Sequence, residues 1–282
     1  MEKKNYRQQM FTGERALFQT RDALIADCTF ANGESPLKES GDLALSRCYF
    51  RWKYPLWYCK DVLVSDSVWF ENARAGVWYT DRVTVSDSLI EAPKNFRRCD
   101  GVTLANVSFS NAAETLWTCK NDALSDVTVT RGDYFGMNCD GVTADRLTLY
   151  GNYGFDGAKN LYIRNSRLLT KDAFWNCENV TVEDSFISGE YLGWNTKNLT
   201  LVNCTVESLQ GLCYIENLVM KNCRLVNTTL AFEYSTVDAE ITTKIDSVFN
   251  PAAGRIRAKS IGQLIMEADK IDPARTQIIT EE

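Results

Sequence analysis

The phrase Asn179-Val180-Thr181-Val182-Glu183-Asp184-Ser185 returns nineteen residues later as Asn198-Leu199-Thr200-Leu201-Val202-Asn203-Cys204, and again as Asn217-Leu218-Val219-Met220-Lys221-Asn222-Cys223. Upstream, Asn160-Leu161-Tyr162-Ile163-Arg164-Asn165-Ser166 and Asp61-Val62-Leu63-Val64-Ser65-Asp66-Ser67 carry the same pattern. Its second apolar position falls at Ile25, Leu45, Val64, Val85, Leu104, Leu124, Ala144, Ile163, Val182, Leu201, Met220 and then Ile241, 19 to 21 residues apart throughout. A fixed period of this length marks a solenoid, in which each repeat stacks on the one before it.

The repeat leaves no room for a helix of useful length, and its apolar residues alternate with period two. Between the alternating stretches stand Asp22, Asp42, Asp61, Gly101, Asn121, Gly141, Asn160, Asn179, Asn198 and Asn217. These residue types tolerate the left-handed backbone that a tight bend demands. Four asparagines nineteen apart predict an amide ladder at that corner. A Leu-x-x-Leu-x-Leu-x-x-Asn phrase with a helical return is missing, which excludes a leucine-rich repeat. The reading is all-β: a parallel β-helix of about twelve coils, stacked at the ~4.8 Å strand spacing. The period runs through the middle of the chain, so a single domain over 1–282 is expected. Residues 1–15 and 251–282, where the phrase dissolves, are expected to cap coils that occupy 16–250.

Composition narrows the function. A net charge of −6 argues against nucleic acid as a general partner. No apolar run reaches membrane-spanning length, so no membrane partner is expected. The charged opening Met1-Glu2-Lys3-Lys4-Asn5-Tyr6-Arg7-Gln8-Gln9 lacks the apolar stretch of a signal peptide, which makes the cytoplasm the expected location. The chain has no histidine. Ser-His-Asp and Cys-His catalysis are thereby excluded, and any chemistry must rest on Asp, Glu, Lys, Arg or Tyr.

The ten cysteines fall into columns of the repeat rather than into a disulfide pattern. Cys59, Cys99, Cys119, Cys139 and Cys177 alternate with Thr20, Thr80, Ala158 and Thr196. Cys28, Cys48, Cys204 and Cys223 alternate with Ser67, Ser88, Ser166, Ser185, Val107 and Val127. Exchange among small residues points to a tightly packed inward site, and stacked parallel Cα–Cβ vectors do not suit a disulfide. A straight row does not close a tetrahedron either, so no metal site and no cofactor are expected. Cys213 fits neither column.

Three residues before the first cysteine column stand apolar residues or Gly, among them Leu56, Val77, Phe96, Leu116, Phe155, Phe174 and Leu212, which should face inward. Strand alternation then turns the next column outward: Phe18, Trp57, Trp78, Arg97, Trp117, Met137, Asp156, Trp175 and Trp194. Five of the seven tryptophans share it. Charged and phenolic residues flank this strip, including Lys53, Tyr54, Arg74, Lys94, Glu114, Asp133 and Asp172, with the charge changing sign along its length. Two readings stand side by side. In one, the indoles stack on one another as a packing ladder edged by surface ion pairs. In the other, Trp57, Trp78, Trp117, Trp175 and Trp194, with Tyr54, are platforms for an oligosaccharide or other extended ligand, and Lys53, Arg74, Lys94 and Arg97 hold its anionic or hydroxyl groups. Should the strip be catalytic, Glu114, Asp133, Asp156 and Asp172 are the acid/base candidates, since carboxylates one or two coils apart lie about 5 or about 10 Å apart. A non-catalytic scaffold that docks a protein or a second copy of the chain through the same face is the alternative from another class.

Several stretches also resemble a known family. Gly33-Glu34-Ser35-Pro36-Leu37-Lys38-Glu39-Ser40, Lys53-Tyr54-Pro55-Leu56-Trp57-Tyr58-Cys59, Glu91-Ala92-Pro93-Lys94-Asn95-Phe96-Arg97-Arg98 and Lys171-Asp172-Ala173-Phe174-Trp175-Asn176-Cys177 are similar to a bacterial domain-of-unknown-function family. Its members look like single-stranded right-handed β-helices of the pectin-lyase-like superfamily. The resemblance spans nearly the whole chain and implies a right-handed coil, but it brings no established activity or catalytic residues. The wider superfamily includes polysaccharide lyases, hydrolases and esterases beside non-enzymatic members, which implies carbohydrate as a ligand class. This sequence lacks the Gly-His-Gly of polygalacturonases. It also lacks the clustered aspartates with a basic partner that mark a calcium-dependent pectate lyase.

Overall fold

In the computed structural model, which describes residues 3–281, the repeat phrase forms a parallel strand in coil after coil. The chain divides into two units, one ending at Thr143 and the other beginning at Ala144. Each is a parallel β-solenoid, the all-β class expected from the period. Among the described residues no α-helix occurs, only a 3-10 turn at Pro273–Arg275. No helix is long and apolar enough to cross a membrane.

In the first unit the marker positions pair in unbroken register. Ile25 faces Leu45, Leu45 faces Val64, Val64 faces Val85, Val85 faces Leu104 and Leu104 faces Leu124. In the second unit Ile163, Val182, Leu201 and Met220 continue likewise. The next partner is Ala239, not Ile241. A bulge beyond Met220 shifts the pairing so that Ile241 meets Cys223, which is why the simple count overshoots by two.

The coils also run further than the phrase. Lys4–Arg7 pairs with Ala23–Ala26, and Met10–Phe11 with Thr29–Phe30, so part of the stretch expected to be an N-terminal cap is itself strand. At the other end Ala253–Ile265 pairs with the strand Thr236–Phe249, and Thr276–Thr280 pairs with Ala253–Ile265. Hydrophobic spacing had faded there because many of those side chains are exposed, while the backbone pairing persists.

Left-handed bends define the corners. Asp22, Asp42, Asp61 and Asn121 have φ between 51° and 57°, and Asn160, Asn179, Asn198 and Asn217 between 55° and 64°. The predicted amide ladder is present: Asn179 donates to Asn160 at 3.0 Å, Asn198 to Asn179 at 2.9 Å and Asn217 to Asn198 at 2.9 Å. Each side-chain amide thus offsets the cost of its left-handed backbone by bonding to the coil before it.

Inside each unit the core is apolar and rich in aromatic side chains. Phe11, Phe30, Phe50 and Trp69 stack at centroid separations of 5.2, 5.3 and 4.5 Å, and Phe155 stacks on Phe174 at 6.1 Å. Leu56, Val77, Phe96 and Leu116 are buried, as are Phe155, Phe174 and Leu212. Removing such a side chain from water contributes about 1.5–3 kcal/mol.

The cysteines sit at the corners as small polar fillers. All ten are reduced and buried. The Cys59 thiol donates to the Leu37 carbonyl at 3.1 Å while the Cys59 N–H donates to Thr80 Oγ1. Ser40 and Thr80 do the same work in the same column. A small side chain that both accepts an N–H and donates to a carbonyl satisfies backbone groups the bend leaves unpaired. Burial pushes the Cys59 and Cys48 thiols up to about 11 and Cys204 up to about 12. Cys213 joins them: it donates to Gln210 O at 3.2 Å, and burial, with Glu233 nearby, raises it to about 12.

Candidate functional site

The orientation expected of the outer strip holds in both units: the Leu/Phe column is buried, while Trp57, Trp78, Trp117, Trp175 and Trp194 are half-buried at the surface. What the sequence does not foretell is where their flat faces go. One coil per ~4.8 Å is close to a stacking distance, so residues in one column cover one another.

In the first unit Trp57 stacks on Trp78 at 5.0 Å with the rings 6° from parallel. Arg97 lies between Trp78 and Trp117, its guanidinium 4.7 Å from each ring centre. Trp78, Arg97 and Trp117 occupy consecutive coils linked by parallel bridges. Arg97 therefore completes the stack as a cation sandwiched by two π faces. The indole N–H groups are also committed, Trp57 to Ala75 O at 2.6 Å and Trp78 to Lys94 O at 2.8 Å. A second, shallower ladder runs alongside: Tyr58 stacks on Tyr79 at 4.8 Å, with Lys38 over the Tyr58 ring and Arg98 over the Tyr79 ring. Lys38 occupies the coil between Phe18 and Trp57; counting back from Ser40 rather than from a cysteine would have found it.

The flanking charges are largely paired. Lys53 meets Glu34 at 3.0 Å, Lys94 meets Glu114 at 3.1 Å and Arg97 meets the other Glu114 oxygen at 2.9 Å. Burial alone would raise the Glu114 pKa, but the hydrogen bonds and charges of Lys94 and Arg97 outweigh it and hold the carboxyl below its usual range. Arg74 and Arg98 are exposed, and neither pairs with a carboxylate among the described residues. Arg74 immediately precedes Ala75, whose carbonyl anchors the Trp57 indole, so its charge lies at the margin of the stack. Tyr54 packs against Trp57 at 4.5 Å, and Tyr134 approaches Trp117 at 6.2 Å. Asp133 is exposed.

In the second unit Trp175, Trp194, Tyr214 and Tyr234 follow one another at 5.9, 4.4 and 5.4 Å. The Trp175 indole donates to Tyr191 O at 2.7 Å. Asp156 is half-buried and accepts from Asn176 at 2.9 Å, which in turn accepts from Asn195. Asp172, expected on the strip, lies beneath it at 2% exposure, with Oδ1 unpartnered among the described residues. Its neighbour Lys171 takes the outward place and pairs with Glu190 at 3.3 Å. Burial raises the Asp172 carboxyl, opposed by Lys171.

Comparison with known proteins follows this architecture. A family described as "Protein of unknown function (DUF3737)" matches residues 4–279. No curated protein matches the chain. Among solved structures, the mannuronan C-5 epimerase AlgE4 A-module of Azotobacter vinelandii is similar over 98% of this chain and 88% of its own, at 9% identity and a TM-score of 0.41. PfbA, a surface adhesin of Streptococcus pneumoniae, is similar over 87% of this chain and 71% of its own, at 11% identity and a TM-score of 0.33.

Proposed function

The chain belongs to this DUF3737 family of unknown function, and from its own surface we propose that the tryptophan face of the first unit binds an extended, carboxylate-bearing saccharide without turning it over. The observation that carries this reading is the pair Arg74 and Arg98. They are exposed cations beside a strip of half-buried aromatic residues, while the neighbouring Lys53, Lys94 and Arg97 are neutralised by Glu34 and Glu114. Because the indoles cover one another, the strip offers ring edges, not open faces, with the Arg97 guanidinium set among them. A polymer whose repeat advances by about one coil meets the same contact again at each step, and its carboxylates reach the two guanidiniums that no protein carboxylate neutralises.

Binding is preferred to catalysis because the carboxylates do not suit proton transfer. Glu114 is held ionised by two cations, the opposite of what a general acid needs, and Asp172 is out of a ligand's reach. Titration of the intact chain with oligogalacturonates of increasing length, followed by tryptophan emission, is expected to saturate and to tighten with length. Arg74→Glu with Arg98→Glu should abolish it, leaving the fold intact by circular dichroism. Equal affinity in that double variant, or no response to any acidic oligosaccharide, would refute the reading. A dimer in light scattering that Trp117→Ala dissolves would favour a self-docking face instead.

A further inference from the structure

A second cluster lies in the interior of the first unit, away from the tryptophan face. The inward column Leu43, Val62, Val83 and Val102 is apolar and wholly buried, and Val142 continues it one coil beyond Asp122. Asp122 alone breaks the column, at 2% exposure. Its Oδ1 accepts the Val102 N–H at 3.2 Å, and its Oδ2 is buried with no hydrogen-bond partner among the described residues. An unpartnered carboxylate oxygen in a valine column is costly in an apolar core, and packing gives no reason for it. Around it stand two thiols on neighbouring coils: the sulfurs of Cys119 and Cys139 and a carboxylate oxygen of Asp122 all lie within 4.8 Å of one another. The cysteine row is straight, but Asp122 stands off the row and supplies the third corner that the row itself cannot.

We propose that Cys119, Asp122 and Cys139 bind a divalent, thiol-preferring cation of the zinc type, which staples two adjacent coils from within. Two sulfurs and one oxygen suit such an ion and not calcium or magnesium, which take six or more oxygens. Binding displaces the two thiol protons, and the carboxyl proton where it is present, to solvent. Two backbone donors are aimed at the ligand atoms, the Val102 N–H at the carboxyl Oδ1 at 3.2 Å and the Cys119 N–H at the Cys139 sulfur at 3.3 Å, while burial favours the neutral groups, so the ion itself must displace their protons. A site this enclosed is structural: no residue of it reaches a substrate, and it is independent of the saccharide reading.

The test uses the full chain, unfolded with reductant and chelator and refolded with cobalt(II) as a spectroscopic stand-in. One equivalent of cobalt per chain, with near-ultraviolet thiolate-to-cobalt absorption that zinc displaces, is expected. Asp122→Val restores the residue of its own column and therefore folds; with Cys139→Ala it should lose the absorption. Cys59→Ala, in the same cysteine column but without an aspartate, should keep it. Zinc should raise the melting temperature of the native sequence and leave that of Asp122→Val unmoved. A well-folded native chain with no thiolate–cobalt absorption, or an Asp122→Val variant that retains it in full, would overturn the proposal.

Discussion

Replacing Asp122 by valine should stabilise the metal-free protein, by an amount that grows with pH. Burial, with the Cys119 sulfur alongside, pushes the Asp122 carboxyl up to about 8. In the unfolded chain the same group ionises near pH 4. Between those values the unfolded state releases a proton that the folded state keeps, so folding stability falls as pH rises, by about 1.4 kcal/mol per pH unit at most. The accumulated penalty is on the order of 4 kcal/mol at pH 7, and it levels off above pH 8. At pH 4 the two proteins should be nearly equal. There the variant gains by burying methyls in place of an unpartnered oxygen and loses the acceptor of the Val102 N–H, terms of about 1 kcal/mol each that oppose one another. Urea unfolding from pH 4.5 to 8.5, with chelator and reductant present, measures the difference directly. A difference that stays flat across that range, or a variant less stable than the native sequence at pH 7, would refute the argument that the carboxyl is neutral and uncompensated.

Three further outcomes are expected. Arg97→Ala removes a cation held between two indoles and should destabilise the chain by about 2 kcal/mol in urea melts, with Arg97→Lys intermediate because an ammonium cannot lie flat on both rings. Asn179→Ala breaks two rungs of the amide ladder at a residue with φ of 60° and should cost about 2 kcal/mol; Asn179→Gly, which relieves the backbone but not the lost bonds, should cost less. All ten thiols should resist an aromatic disulfide reagent at pH 8 in the native protein and react together in guanidinium, because burial keeps the reagent from them until the chain unfolds.

The fold was legible because one period governs it. Val64, Val85, Leu104, Val182 and Leu201 pair where the count put them, since a parallel coil places equivalent residues directly above one another. The same logic found the left-handed corners and the buried Phe96 and Phe174 beside half-buried tryptophans. Three things lay beyond it. At the ends, pairing persists through backbone bonds while the apolar alternation that signals it is lost. Along the tryptophan strip, sequence gives the column but not the ring rotation, and stacking at one-coil spacing hides the faces that a sugar would have used. Asp122 was overlooked because Asn121-Asp122 looks like an ordinary bend; only its alignment with Val62, Val83, Val102 and Val142 exposes it as an acid inside the core.

The amide ladder bears on how such a chain can change length. The side chains of Asn160, Asn179, Asn198 and Asn217 bond to the copies one coil away, and the strands around them pair in the same way. Excising nineteen residues between equivalent corners would bring identical donors and acceptors back together, whereas losing five would leave every later rung facing the wrong partner. Growth and shortening of this protein are therefore quantised, and whole turns are the increments that natural variation can add or delete without refolding the remainder.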